Sequence, residues 1–257
     1  MSWNKAYKAA VETSDTTLDI FEFLLEHDGA RMSDIAKELD LATTTVYNHL
    51  ETLRSHGLAV REANSYFIGI RCQQFGQYAR RRRWFYQLVK NHTAELAANT
   101  EGDVDFSIEE HGRVFPIYRE TKYQYSNSFE GRYVFYMHNS AVGKAILAEY
   151  SEERVEKIIQ QWGLPSETPN SIESKDALCD QLEAVREQGY AVNNKENNEG
   201  LRAIAAPVIG LLDQVVGAIS ISGPSYWLAD SKINRLSNRL LERTTKLESA
   251  MASEFPE

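Results

Sequence analysis

The chain has 257 residues, 42% hydrophobic and 25% charged, which allows one large domain or two modest ones and excludes collagen, coil and wholesale disorder. No apolar run approaches the roughly 18 residues of a membrane span, and residues 1–10 lack a signal peptide's apolar stretch, which predicts a cytoplasmic protein with no membrane partner. The net charge of −9 falls wholly on residues 84–257, while residues 1–83 balance 11 basic against 11 acidic side chains, so only that first third suits a polyanion.

Thr16–His27 reads as a helix with Thr16 as N-cap and Asp19 three residues on; Leu18, Phe21 and Leu25 share a face, with Ile20 and Leu24 beside it, and Gly29 ends it. Ser33 is expected to cap a short second helix that buries Ile35, Ala36 and Leu39. After the turn at 40–42, a third helix from Thr43 to about His56 carries Val46, Leu50 and Leu53 at i, i+4, i+7, closed by Gly57 in the left-handed position. Two short β-type runs follow, 58–61 and 66–68, separated by a turn at 62–65. A helix pair alone is common in bundles. Three short helices followed at once by a hairpin make a winged helix-turn-helix.

The run 33–53 (SDIAKELDLATTTVYNHLETL) with Gly57-Leu58 resembles the recognition segment of the IclR family of regulators. Helical geometry puts Thr44, Asn48 and Glu51 opposite the buried stripe, with Tyr47 at its flank. The expected DNA-contacting set, with the resemblance, is Ser33, Thr43, Thr44, Thr45, Tyr47, Asn48, Arg54 and Arg61. Asn48 has the amide for a bidentate contact to adenine, and Thr44 or Thr45 suits a thymine methyl or a phosphate. Arg54 and Arg61 suit phosphates; Arg61, at the wing's base, equally suits the minor groove. Tyr47 is as well suited to packing on the first helix as to DNA.

A single linker helix is predicted over about 70–86, carrying Arg80–Arg83 just before Trp84-Phe85-Tyr86. Four adjacent arginines point around most of a helix, so at most two face DNA together, and a solvated face is an equal reading. Cys72, Gln74, Phe75 and Tyr78 read as packing between domains or subunits. One winged helix spans few base pairs, so two copies on a pseudo-palindromic operator are expected, as a homodimer or a dimer of dimers.

Beyond Trp84 helices and strands mix. Helices are predicted at about 86–99, 141–149, 152–161, 174–188 and 230–251, and strands at 104–108, 113–118, 190–193, 202–208 and 214–222. Pro116 argues for an edge or a bulge in its strand. This is an α+β pattern: an antiparallel sheet with flanking helices. Three segments, 131–148, 189–208 and 217–224, are similar in order and spacing to the IclR effector-binding domain, and the resemblance spans about 15–255. It implies a winged helix-turn-helix over 1–69, a linker helix over 70–85 and a GAF-like effector-binding domain over 86–257.

Members of that family commonly bind small carboxylates. The effector-binding set expected on that resemblance is Ser140, Gly143, Glu196, Arg202, Ser220 and Ser222. A helix N-terminus behind Ser140 offers N–H groups to an anion, Arg202 suits a bidentate clamp on a carboxylate, and Glu196 suits the hydroxyls of a sugar or sugar acid. Capping for Ser140, close packing for Gly143 and a solvated Lys144 are the plainer readings. Of the aromatic set Tyr118, Tyr123, Tyr125, Phe129, Tyr133, Phe135 and Tyr136, most are expected in core or interface. The chain departs from the family in having Arg202-Ala203-Ile204 where a cysteine is common, Lys195 where a second carboxylate is common, and Ser140 for a threonine. Pocket chemistry should thus differ from that of members binding small keto acids.

No nucleophile–base set, phosphate loop or metal spacing is visible, and the six histidines are scattered, so neither enzyme activity nor a cofactor is expected. Cys72 and Cys179 are too few and too far apart for a disulfide framework and read as buried or half-buried thiols. The expectation is a DNA-binding regulator whose operator affinity responds to a small metabolite. A ligand-independent regulator or a protein-interaction module is the alternative.

Overall fold

The computed structural model describes residues 10–121 and 134–254. The chain divides into two compact units, residues 1–83 and 84–257. Tyr123, Tyr125, Phe129 and Tyr133 lie outside the described residues.

The first unit comprises helix α1 (Glu12–Glu26), strand β1 (Ala30–Arg31), helices α2 (Met32–Glu38) and α3 (Thr43–Ser55), strands β2 (Ala59–Glu62) and β3 (Ser65–Ile68), and helix α4 (Cys72–Arg81). Ile20, Phe23 and Leu24 of α1 meet Ile35 and Ala36 of α2 and the expected Val46–Leu50–Leu53 stripe of α3, closed by Ala59 and Tyr66 of the hairpin. Leu18 and Leu25 do not join them and are 58% and 62% exposed.

Thr16 is not the cap of α1, which begins a turn earlier behind Val11. Its hydroxyl bonds back to Glu12 O at 3.0 Å, as Thr17 does to Thr13 O at 2.9 Å, the mid-helix habit of threonine. Ser33 likewise lies inside the first turn of α2, behind Arg31, with its hydroxyl on Asp34. The end of α3 is as expected: Gly57 takes φ +69°, and Gly57 N and Leu58 N return to Arg54 O and Leu53 O, both at 2.8 Å.

The short strand β1 has no counterpart in the sequence pattern. It pairs Ala30 with Tyr66 and Arg31 with Ser65, making a three-stranded sheet in the order β1-β3-β2. The predicted linker helix is shorter than expected. α4 stops at Arg81 with no buried residue, residues 82–85 are not helical, and α5 (Tyr86–Ala98) opens the second unit. Cys72 packs within its own unit, its thiol 3.7 Å from Leu58 O, while Cys179 is exposed rather than buried.

The second unit is a six-stranded antiparallel sheet. Its strands are β4 (Asp103–Glu110), β5 (Arg113–Glu120), β6 (Phe135–Tyr136), β7 (Ala191–Asn194), β8 (Leu201–Ile209) and β9 (Val215–Pro224), in the order β6-β5-β4-β9-β8-β7. The β4–β5 hairpin turns on His111 and Gly112, φ +55° and +76°, tighter than the four-residue turn expected. Pro116 lies beside a bulge at Phe106/Ser107, and β6 covers only Arg113 and Val114 of its strand, so both the edge and the bulge are present.

Both sheet faces are covered. Val104, Phe106, Ile204, Ala206, Val208, Ile219 and Ile221 meet α5 and the long α9 (Asp230–Ser253), which buries the expected Ile233, Leu236, Leu240 and Leu247. On the opposite face Ala191, Ala203, Ala205 and Ala218 admit α6 (Ala141–Ala148), backed by α7 (Glu152–Trp162) and α8 (Lys175–Gln188). Small residues on that face let α6 come close, and every residue of α6 is buried. Ser140, Ser151 and Ser174 cap α6, α7 and α8, and Gly189 at φ +81° ends α8.

Candidate nucleic-acid interface and ligand face

On α3 the apolar stripe holds the helix from behind, leaving Thr43, Thr44 and Asn48 exposed, Thr45 half-buried and Tyr47 48% exposed. Tyr47 is therefore not packed into the core. The N-cap residue, Ala42, offers no side chain to the first turn; Thr45 N donates to Ala42 O at 2.9 Å, which leaves the N–H groups of Thr43 and Thr44 for a phosphate. The amide of Asn48 has no hydrogen-bond partner among the described residues.

The two expected phosphate arginines are less free. Arg54 Nη1 donates to Glu51 Oε1 at 2.5 Å on the exposed surface, a bond that raises its pKa. Arg61 curls over its own wing, with Nε donating to Ala63 O at 3.2 Å and its guanidinium 5.7 Å from the Tyr66 ring. Ser33 is exposed on the first turn of α2. His49 ties α3 to α1 through Thr17 Oγ1, 2.7 Å from Nδ1.

In the second unit Ser140, Gly143, Glu196, Ser220 and Ser222 fall on the α6 side of the sheet. Arg202 does not. It shares the face of Ile204 and Ala206, where Nη1 donates to Leu228 O at 2.9 Å and Nη2 to Asp230 at 2.7 Å, so it fastens the start of α9. The expected clamp on a ligand carboxylate is thus spent on the protein itself.

Ser140 is also spent: its Oγ accepts from Gly143 N at 3.0 Å and donates to Tyr136 O at 2.9 Å. Gly143 sits where a Cβ would lie 2.1 Å from Met137 O, so the chain crossing there permits only glycine.

Both carboxylate oxygens of Glu196 are engaged within the protein rather than held out to ligand hydroxyls. Lys144, fully buried rather than solvated, donates to Glu196 Oε1 at 2.7 Å and Oε2 at 2.8 Å. Asn194 N adds a bond to Oε1 at 3.1 Å, and the Glu196 backbone is held by Asn193, Thr168 and Ser171. Burial pulls the Lys144 pKa down and Glu196 pulls it back up. His138, buried nearby, has its pKa pushed to about 4 by burial, opposed by its contact with Pro165 O and reinforced by Arg113 and Lys144.

On the same face, toward β4, lies a second group of buried polar side chains. Ser220 pairs across the strands with Asp105, and Ser222 with Asp103. Asp105 in turn accepts from Arg119 Nε of β5 at 2.5 Å. Asp105, Ser107 and Arg119 were not among the expected site residues, yet the alternation Asp103, Asp105, Ser107 against Val104, Phe106 was present to be read. Among the described residues no His, Cys, Asp or Glu cluster could hold a metal, and no helix is long and apolar enough to cross a membrane.

Residues 15–63 match the family model for the IclR helix-turn-helix domain, and residues 77–249 match that for the bacterial transcriptional regulator IclR C-terminal region. The chain is 31% identical over 223 residues to the "Probable HTH-type transcriptional regulator ArcR" of Halobacterium salinarum, covering 84% of each. The Thermotoga maritima IclR structure shares its fold with TM-score 0.75 at 23% identity, over 93% of this chain and 98% of that one. An IclR homologue of Microbacterium hydrocarbonoxydans, solved in complex with 4-hydroxybenzoate, does so with TM-score 0.78 at 18% identity, over 94% and 100%.

Proposed function

The chain belongs to the IclR family and is a DNA-binding transcription regulator, not an enzyme; from that premise we propose that it reads a pseudo-palindromic operator as a homodimer and adjusts its affinity to a small metabolite. The observation that carries the DNA half is α3, whose dry stripe is anchored while Thr43, Thr44 and Asn48 stand exposed with the uncapped N–H groups of Thr43 and Thr44 beside them. Residues 1–69 bind DNA, 70–85 connect, and 86–257 receive the effector.

Two copies account for apolar surface that one copy leaves in water. Ile70, Phe75 and Tyr78 around α4 are 83%, 57% and 75% exposed, and Leu18 and Leu25 of α1 add to them within the same unit. A structural relative solved with 4-hydroxybenzoate supports a small-molecule site in the second unit. The effector is a small carboxylate or sugar acid, held on the α6 side of the sheet near Ser220 and Ser222.

A mobility shift with fragments of the host genome, with and without small acids and sugar acids, tests the whole reading. A discrete set of bound fragments whose affinity changes with one compound is expected. Binding of all fragments alike at every salt concentration would overturn the operator claim, and bound fragments indifferent to every compound would leave a ligand-independent regulator.

A further inference from the structure

Glu196 is consumed by Lys144, yet the same sheet face holds a second carboxylate. On β4, Val104 and Phe106 point into the α5/α9 core, so Asp105 and Ser107 point the other way, with Ser220 of β9 directly opposite Asp105. Their exposures are 8% for Asp105, 2% for Ser107 and 4% for Ser220. Arg119 uses only Oδ1 of Asp105; Oδ2 and the two serine hydroxyls have no hydrogen-bond partner among the described residues. None of the three atoms is sealed off: each keeps a sliver of accessible surface and an unused hydrogen-bonding capacity, which water or a ligand can fill. They lie together, in register, on the face where the effector is placed.

We propose that Asp105, flanked by Ser107 and Ser220, is the specificity-determining edge of the effector site, and that it selects ligands carrying hydroxyl, amino or ureido donors. This rests on the reading of the α6 side as the ligand face. The chemistry follows from the inventory of groups. A carboxylate oxygen only accepts, so the atom set against Oδ2 must donate. Burial raises the Asp105 pKa, and Arg119, donating to Oδ1, offsets part of that rise in favour of the ionised form. A second carboxylate or a bare apolar group brought to Oδ2 would leave a buried charge repelled or unsolvated. The serines, able to donate or accept, adapt to either neighbour of the donor atom. The acceptor end of a hydroxy acid can then lie away from Asp105, and its hydroxyl end against it.

The test uses the full-length protein and matched pairs differing in donors: gluconate against hexanoate, glycerate against propionate, and 4-hydroxybenzoate against benzoate. Calorimetry is expected to show at least one donor-bearing member bound about tenfold or more tighter than its mate, as one charge-assisted hydrogen bond implies. Asp105→Asn should shrink that preference to about threefold or less. Ser220→Ala, a gentler change, should reduce it in part while keeping the melting temperature, which guards against a folding defect. The proposal is overturned if donor-free members bind as well, if Asp105→Asn or Ser220→Ala leaves the preference intact, or if no pair binds at all. A wild-type protein that keeps the preference yet binds no operator would instead strike the regulator reading and leave this one standing.

Discussion

Lys144 reaches Glu196 across 52 positions of sequence and donates to both of its carboxylate oxygens, at 2.7 and 2.8 Å, from a side chain with no exposed surface. The pair pins the β7–β8 loop to α6. Removing one partner strands the other charge in the interior, which costs about 3–5 kcal/mol. Lys144→Met should therefore lower the melting temperature by about 10 °C, and Lys144→Met with Glu196→Leu should restore most of it. A single substitution costing under about 1 kcal/mol would show that the pair does not hold the loop.

His138 makes stability depend on pH. Its pKa is about 4 in the folded chain and about 6.5 unfolded. Between these values the unfolded chain binds the extra proton, so stability falls as pH drops from 6.5 to 4, by about 3 kcal/mol from this residue. Urea titrations at pH 7 and pH 4.5 measure the fall, and His138→Gln should flatten this part of it. An unchanged pH dependence in the variant would assign the loss to other groups.

Asn48 and Arg54 should separate in their effects on DNA. Asn48→Ala is expected to relax preference at one base pair by about 1–3 kcal/mol while sparing binding to random duplex. Arg54→Ala, which also breaks the exposed bond to Glu51, should weaken all sequences alike and reduce the salt slope by about 1. Fluorescence anisotropy on single-base operator variants distinguishes the two; equal losses on operator and random DNA for Asn48→Ala would refute its base contact.

Arg202 should matter for stability and not for the effector. Arg202→Met removes the bonds to Leu228 O and Asp230, and loses about 1–2 kcal/mol, since Asp230 is largely in water. Effector affinity by calorimetry should stay within about twofold. A large drop would return Arg202 to the ligand face.

The parts legible in the sequence are those with a local signal. Val46, Leu50 and Leu53 declare their helix by spacing, Gly57 its end, and Val215–Ser222 its strand. Strand β1 is two residues long and carries no alternation to read. The break at 82–85 contains neither Gly nor Pro, so nothing local forbids a continuous helix there. Arg202 was misplaced because β8 is buried on both faces: Ala203 and Ile204 look equally interior, and only the neighbours α6 and α9 tell them apart. The burial of Lys144 depends on a partner far along the chain, which one sequence cannot supply.

The pairing of Ala30 and Arg31 with the wing has a mechanical result. Because β1 runs straight into α2, the wing is tied to the helix that precedes the reading helix, and it cannot swing on its own hinge. The DNA-facing surface of each copy then behaves as one solid stamp. In the homodimer proposed above, a metabolite signal would have to alter the distance or angle between two such stamps, and the operator would register it as a misfit in spacing rather than as a changed imprint.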